Sequence, residues 1–198
     1  MDSLQQIYTR EWLIQDWAAE RKREILLFWG HTPKDSNGIG RECLSQWYPR
    51  PFNVDGTVYP TAEHWMMVQK AKLFKDEEAI SEILSTTSPK SAKASGRGIK
   101  NFNPVVWDQH KFSIVVSGNL HKFQQHPDLS AFLIGTEQSI LIEASPSDRI
   151  WGIGLSANDP SSTDPSQWKG ENLLGFALMQ VREALSLSDY SGKTGYSA

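Results

Sequence analysis

Tyr59-Pro60-Thr61-Ala62-Glu63-His64-Trp65-Met66-Met67-Val68-Gln69-Lys70 reads as a turn that runs straight into a helix. Pro60 blocks helical continuation backwards, and the Thr61 hydroxyl is suited to accept a hydrogen bond from a first-turn N–H that has no carbonyl partner. Glu63 falls in that first turn, where the helix dipole favours negative charge; it stays ionised near neutral pH unless an apolar wall desolvates it. The helix is expected to run from Ala62 to about Phe74. Trp65, Met66, Val68, Leu73 and Phe74 give it more than one apolar stripe, so burial on more than one side is expected. Glu63, Met67 and Lys70 follow at i, i+4 and i+7 and line a carboxylate and an ammonium along one face. That face is either the wall of a pocket or a solvated surface with Lys70 snorkelling outwards.

The chain around this helix has 198 residues and 39% hydrophobic content, enough for one domain with a sizeable core. Its formal net charge of −3 and pI near 6.0 argue against broad electrostatic binding to nucleic acid or an anionic membrane. Any contact with a polyanion therefore has to be local. Cys43 is the single cysteine and has no partner for an internal disulfide, and the first residues lack the apolar core of a signal peptide. A cytoplasmic protein is expected, with a nuclear one also open. No apolar run approaches the roughly 20 residues of a membrane span. The eight tryptophans suit both cores and the stacking of flat ligands.

Upstream of the opening stretch, residues 3–23 read as an N-terminal helix capped by Ser3, with Ile7, Trp12, Leu13, Ile14 and Trp17 available to pack. Residues 1–24 are treated as an extension to the domain proper. Ile25-Leu26-Leu27-Phe28 suits a buried strand, and Gly30 to Gly40 is a loop. Phe52 to Tyr59 is a hairpin signal, with Asp55-Gly56 in the positions of a tight type I′ turn. Downstream, helices are expected over about 76–84, 90–95, 104–125 and 128–134, with Arg97 held between Gly96 and Gly98 at a helix end. Ile140 to Glu143 and Arg149 to Trp151 read as the arms of a second hairpin around Ser145-Pro146-Ser147-Asp148. A polar loop then runs to Gly170 with little regular structure, Asn172 caps a last helix over 173–187, and residues 188–198 are expected to be a disordered tail. The class is mainly α with a few short β-strands or hairpins, an α+β domain.

No internal repeat, metal-ligand spacing, phosphate-cradling Gly-x-x-x-x-Gly-Lys or Gly-x-Ser-x-Gly elbow occurs. Separated signals do occur in a particular order: Val54-Asp55-Gly56, Tyr59 to His64, Lys70, Gly96-Arg97, Trp107, Lys122-Phe123-x-x-His126-Pro127, Asp148-x-x-Trp151-Gly152 and Gly170-x-Asn172-x-Leu174-Gly175. In this order they resemble the NADAR or YbiA-like family over residues 25–187. The resemblance implies a mainly helical fold and N-glycosidase chemistry. Some members cleave the ribosylamine bond of phosphorylated riboflavin-pathway intermediates; others remove ADP-ribose from modified nucleobases. The family's acidic motif is matched by Glu63, its Asp-x-x-Trp motif by Asp148 and Trp151, and its intervening tryptophan by Trp107. The chain departs from the pattern in a longer, Ser- and Pro-rich segment from Ile153 to Lys169.

Breaking a bond from ribose C1 to nitrogen passes through an oxocarbenium-like state, which calls for anionic groups beside the sugar and a way to activate water. On the resemblance, Glu63 is the expected catalytic carboxylate and Asp148 its partner. Trp107 and Trp151 would stack on the base, Lys70 and Arg97 would hold phosphate, and Gly152 and Asn172 would shape the pocket. No metal and no cofactor is implied. The expected ligand is a phosphorylated N-riboside or an ADP-ribosylated base, with local contact to modified nucleic acid also open. A reader of ADP-ribose or a related nucleotide, binding without hydrolysis, is the alternative.

Overall fold

The computed structural model of the chain describes residues 6–19, 23–32 and 38–193, with side chains to Leu187. Among the described residues there are seven α-helices and four short strands. The opening stretch folds as its residues dictate. The hairpin β2 (Phe52–Val54) and β3 (Thr57–Tyr59) pairs antiparallel, with Phe52 opposite Tyr59. Its turn has Asp55 at φ 50° and Gly56 at φ 80°, the left-handed pair that a type I′ turn requires. It delivers the chain to Thr61, whose hydroxyl accepts from the His64 N–H at 3.4 Å and starts the next helix, Ala62–Leu73. This central helix is buried at every position from Ala62 to Gln69, which is why its apolar residues form no single stripe.

Numbered in chain order, the helices are α1 (Arg10–Ala18), α2 (Ala62–Leu73), α3 (Glu77–Ser85), α4 (Pro89–Arg97), α5 (Pro104–Gln124), α6 (Pro127–Gly135) and α7 (Leu173–Lys193). The central α2 packs against α3, α4 and α5, while α5 and α6 pack on α7. Close crossings depend on residues with no side chain: a Cβ on Gly96 would lie 2.0 Å from Met67 Sδ, and one on Gly118 would lie 2.2 Å from the Trp65 ring. Trp65 stays in the α2–α5 crossing by donating its indole N–H to the Ile114 carbonyl at 2.8 Å.

The expected second hairpin does not form. β4 (Ile140–Glu143) pairs in parallel with β1 (Ile25–Phe28), Ile25 opposite Ile140 and Phe28 opposite Glu143. Ile140, Leu141 and Ile142 are all buried, the continuous apolar run of a parallel strand covered on both faces. Residues 149–151 cannot join a ladder because their backbone groups are spent: the Ile150 and Trp151 N–H groups go to the Asp148 side chain, and the Arg149, Ile150 and Trp151 carbonyls accept from Glu171, Leu173 and Leu174. The cleft described below opens at the carboxyl ends of β1 and β4, where ligand sites of parallel sheets commonly lie.

The ends of the chain also differ from expectation. The first helix starts at Arg10 under a Thr9 cap, with Trp12 N–H donating to the Thr9 hydroxyl at 3.0 Å; residues 6–9 are not helical, and the Ser3 cap lies outside the described residues. Only Leu13 of the apolar candidates is fully buried, Ile7 and Trp17 being exposed. Arg97 lies inside the last turn of α4 rather than after it. The polar loop holds two one-turn 3-10 helices, Pro160–Thr163 and Pro165–Gln167, started by Asp159 and Asp164 side chains that accept the next Ser N–H. The last helix continues to Lys193, into the segment read as tail, and residues 194–198 lie outside the described residues. No helix is long and apolar enough to cross a membrane among the described residues.

Candidate active site

Helices α2, α4, α5 and α7, the end of β4 and the loops around them converge on a cleft of about 1040 Å³. The first turn of α2 contributes Glu63, with Met67 and Lys70 further along the same wall, so the face with that spacing is a pocket wall. Glu63 is 2% exposed. Its N–H donates to the Gln46 carbonyl at 2.9 Å, which locks the helix start against the loop carrying Ser45, Gln46 and Trp47. Burial overrides the helix dipole here. Desolvation pushes the Glu63 carboxyl up to about 7, and Asp148 adds to the rise, while Lys93, Arg97 and a hydrogen bond from the Trp47 side chain oppose it.

A second carboxyl comes from the end of β4. Glu143 is pushed up to about 8, first by burial and then by the negative charges of Asp148 and Glu63, with Lys93 opposing. Its position follows from Asn172, which is fully buried, has φ 57°, and hydrogen-bonds β4 as a neighbouring strand would. Asn172 Oδ1 accepts from the Glu143 N–H and Nδ2 donates to the Leu141 carbonyl, both at 2.9 Å. The oxygens Glu63 Oε1 and Glu143 Oε2 are buried with no hydrogen-bond partner.

The basic wall is α4, started by the Ser88 hydroxyl, which accepts from the Ser91 N–H at 3.3 Å. Lys90, Lys93, Ala94 and Arg97 recur at helical spacing and face the cleft. Lys93 Nζ stands 3.9 Å from Asp148 Oδ2. The other Asp148 oxygen accepts from the Ile150 and Trp151 N–H groups at 2.9 and 2.8 Å, an Asx turn that presents Ile150 and Trp151 to the cleft. Lys70 is committed within the protein: its ammonium donates to the Gly96 carbonyl at 2.8 Å and lies 4.3 Å over the Phe102 ring and 5.6 Å over Trp107. Burial lowers its pKa.

Of the residues singled out in the sequence, Glu63, Asp148, Lys70, Arg97, Trp107 and Trp151 all line the cleft. Gly152 and Asn172 lie behind its wall: a Cβ on Gly152 would meet the Glu143 carbonyl at 2.8 Å, and the Asn172 amide is spent on β4. Sequence reading missed Gln46, Trp47, Lys93, Glu143 and the strongly exposed Trp29 at the end of β1. The recurrence of cations along α4 was a usable signal for Lys93. Glu143 carried one as well, being the charge that ends an apolar strand. Among the described residues, no group of three or more His, Cys, Asp and Glu is arranged to hold a metal ion.

Fold and site together define a mainly helical α+β domain built around a carboxyl-floored cleft with a basic wall. The chain belongs to the NADAR domain family, whose sequence model matches residues 27–186. An N-glycosidase of Acanthamoeba polyphaga mimivirus is 43% identical over 154 residues, covering 75% of this chain and 91% of the viral protein. N-glycosidase YbiA of Escherichia coli is 34% identical over 137 residues, covering 69% of this chain and 77% of YbiA. The NMR structure of the E. coli protein YbiA aligns with a TM-score of 0.69 at 28% identity, over 85% of this chain and 89% of that one.

Proposed function

We propose that this protein is an N-glycosidase that hydrolyses the bond between ribose C1 and a base nitrogen in a phosphorylated N-riboside. The observation that carries the reading is the pair of buried carboxyls with unpartnered oxygens in one cleft, Glu63 near 7 and Glu143 near 8. At neutral pH such a pair holds one carboxylate and one carboxylic acid, the acid–base couple that this hydrolysis uses. Glu143 donates its proton to the departing nitrogen as the C1–N bond breaks. Glu63 takes a proton from the water whose oxygen bonds to C1, and its charge stabilises the cationic sugar. The products are the free base and ribose phosphate; proton exchange with solvent resets both carboxyls. Asp148 keeps the pair's affinity for protons high, holds Lys93 close and aims Trp151. Arg97, Lys90 and Lys93 receive the phosphate, while Trp107 and Trp151 flank the base. Lys70 acts from below, joining α2 to α4. The N-glycosidase names of the viral and bacterial relatives support the same reaction class.

The substrate we propose, on the family resemblance, is a ribosylaminopyrimidine or ribosylaminouracil phosphate of the riboflavin-pathway type. A cleft of about 1040 Å³ favours a second reading with a larger donor, in which an ADP-ribosyl group is removed from a modified nucleobase. Incubation with each substrate, followed by chromatography for released base, separates them. Release of ribose phosphate supports the first reading and release of ADP-ribose the second. Tight binding of both without any product would leave a nucleotide reader and overturn the hydrolase.

A further inference from the structure

Buried side-chain oxygens without a partner number three among the described residues, Gln46 Oε1, Glu63 Oε1 and Glu143 Oε2, and all belong to residues lining the one cleft. Two are the carboxyls already assigned. Gln46 is the third, and its side-chain orientation follows from a chain of partners. The Val115 carbonyl can only accept, so it takes the Asn119 amide nitrogen, at 2.8 Å. Asn119 must then present its oxygen to Gln46, which donates Nε2–H to it at 3.0 Å. That leaves Oε1 without a protein partner on a residue that lines the cleft, and turning the amide over would set oxygen against oxygen. Asn119 is fully buried and Gln46 is 6% exposed, so the pair of amides is held by the protein. The Gln46 carbonyl is also bonded to the Glu63 N–H, which puts both residues on the same part of the wall.

We propose that Gln46 is a specificity-determining residue, a fixed acceptor that reads the ribose 2-hydroxyl beside the carbon under attack and so selects ribosyl over 2-deoxyribosyl ligands. The inference rests on the reading of the cleft as a ribosyl phosphate site. A buried acceptor with nothing to accept is costly, so a ligand that brings a hydroxyl there is favoured and one that brings hydrogen or methyl is not. The 2-hydroxyl fits because it is the sugar donor nearest C1, and the C1 chemistry belongs to the neighbouring Glu63.

The test needs no turnover. Binding of ribose 5-phosphate, 2-deoxyribose 5-phosphate and 2-O-methylribose 5-phosphate to the full chain is measured by titration calorimetry. Ribose 5-phosphate is expected to bind at least about tenfold tighter than either analogue. In Gln46→Met the preference should collapse towards one while affinity for the deoxy sugar is kept. In Asn119→Leu, which frees the Gln46 amide to turn, it should weaken in the same direction. Equal binding of the three sugars to the wild-type protein, or equal loss for all three in Gln46→Met, overturns the proposal. The wild-type series decides it even if a variant fails to fold. Discrimination without cleavage of any N-riboside would sink the glycosidase reading and leave this one standing; cleavage without discrimination would do the reverse.

Discussion

Glu63 and Glu143 are the same functional group in one cleft, separated by what surrounds them. Glu63 has Lys93, Arg97 and Trp47 opposing its desolvation, whereas Glu143 has Lys93 alone among its named opposing partners and the charges of Asp148 and Glu63 against it. On the proposed mechanism the base is ionised and the acid protonated, so kcat/KM should rise through about 7, fall above about 8 and trace a narrow bell. Glu143→Gln is expected to abolish the alkaline limb, and Glu63→Gln to lower kcat by about 10²–10⁴-fold across the profile. Stability runs the opposite way. Both carboxyls bind protons more tightly folded than unfolded, so their contribution is complete below about 4.5 and is lost as pH rises through 7 to 8. Glu143→Gln should therefore raise Tm relative to wild type near pH 9 by more than it does near pH 5, by about 2–4 °C for each kcal/mol recovered. Scanning calorimetry at both values checks it. Glu63 was legible in the sequence because a cap, a proline and a helix start mark its place. Glu143 was marked only as the charge that ends an apolar strand, because its importance comes from a strand pairing between distant segments.

At the scale of elements, the cleft depends on how closely α4 lies on α2. Gly96 touches Met67 where a Cβ would be 2.0 Å from sulfur, and its carbonyl anchors Lys70. Gly96→Ala is expected to cost about 1–3 kcal/mol in denaturant unfolding, because Met67 and the helix must both shift. It should also raise KM, since Lys90, Lys93 and Arg97 move with α4. The helices were readable because their signals are local: Thr61, Asp76, Ser88 and Asn103 each accept a first-turn N–H with the side chain. The expected second hairpin failed for a related reason. Its turn residues are real, yet the Asp148 side chain takes the N–H groups that a strand would have used. Asn172 was read as a cap and a pocket residue, but its amide completes the edge of β4, a role that nothing in its neighbours along the chain announces.

For the whole molecule, a net charge of −3 coexists with Lys70, Lys90, Lys93, Arg97 and Arg149 around one opening. Attraction of the proposed phosphorylated ligand is thus local. KM should rise several-fold between low salt and about 0.5 M salt while kcat changes little, because exposed cations are screened and the buried carboxyls are not. Composition alone excluded a broad basic surface and left room for this patch. Arg10 of α1 donates to the Pro165 and Ser166 carbonyls at 2.8 and 3.2 Å and pins the polar loop that carries the two 3-10 helices. Arg10→Ala should speed amide hydrogen exchange over residues 160–169 without changing kcat. The pairing of β1 with β4 also has a consequence in time. A ribosome delivers Glu63 well before Glu143, Asp148 and the Asn172 that holds the Glu143 N–H. Until then β1 has no neighbour and the nascent protein holds one carboxyl of a pair. On the proposed mechanism, which needs two carboxyls, a chain truncated before Ile140 should neither complete its sheet nor turn over substrate.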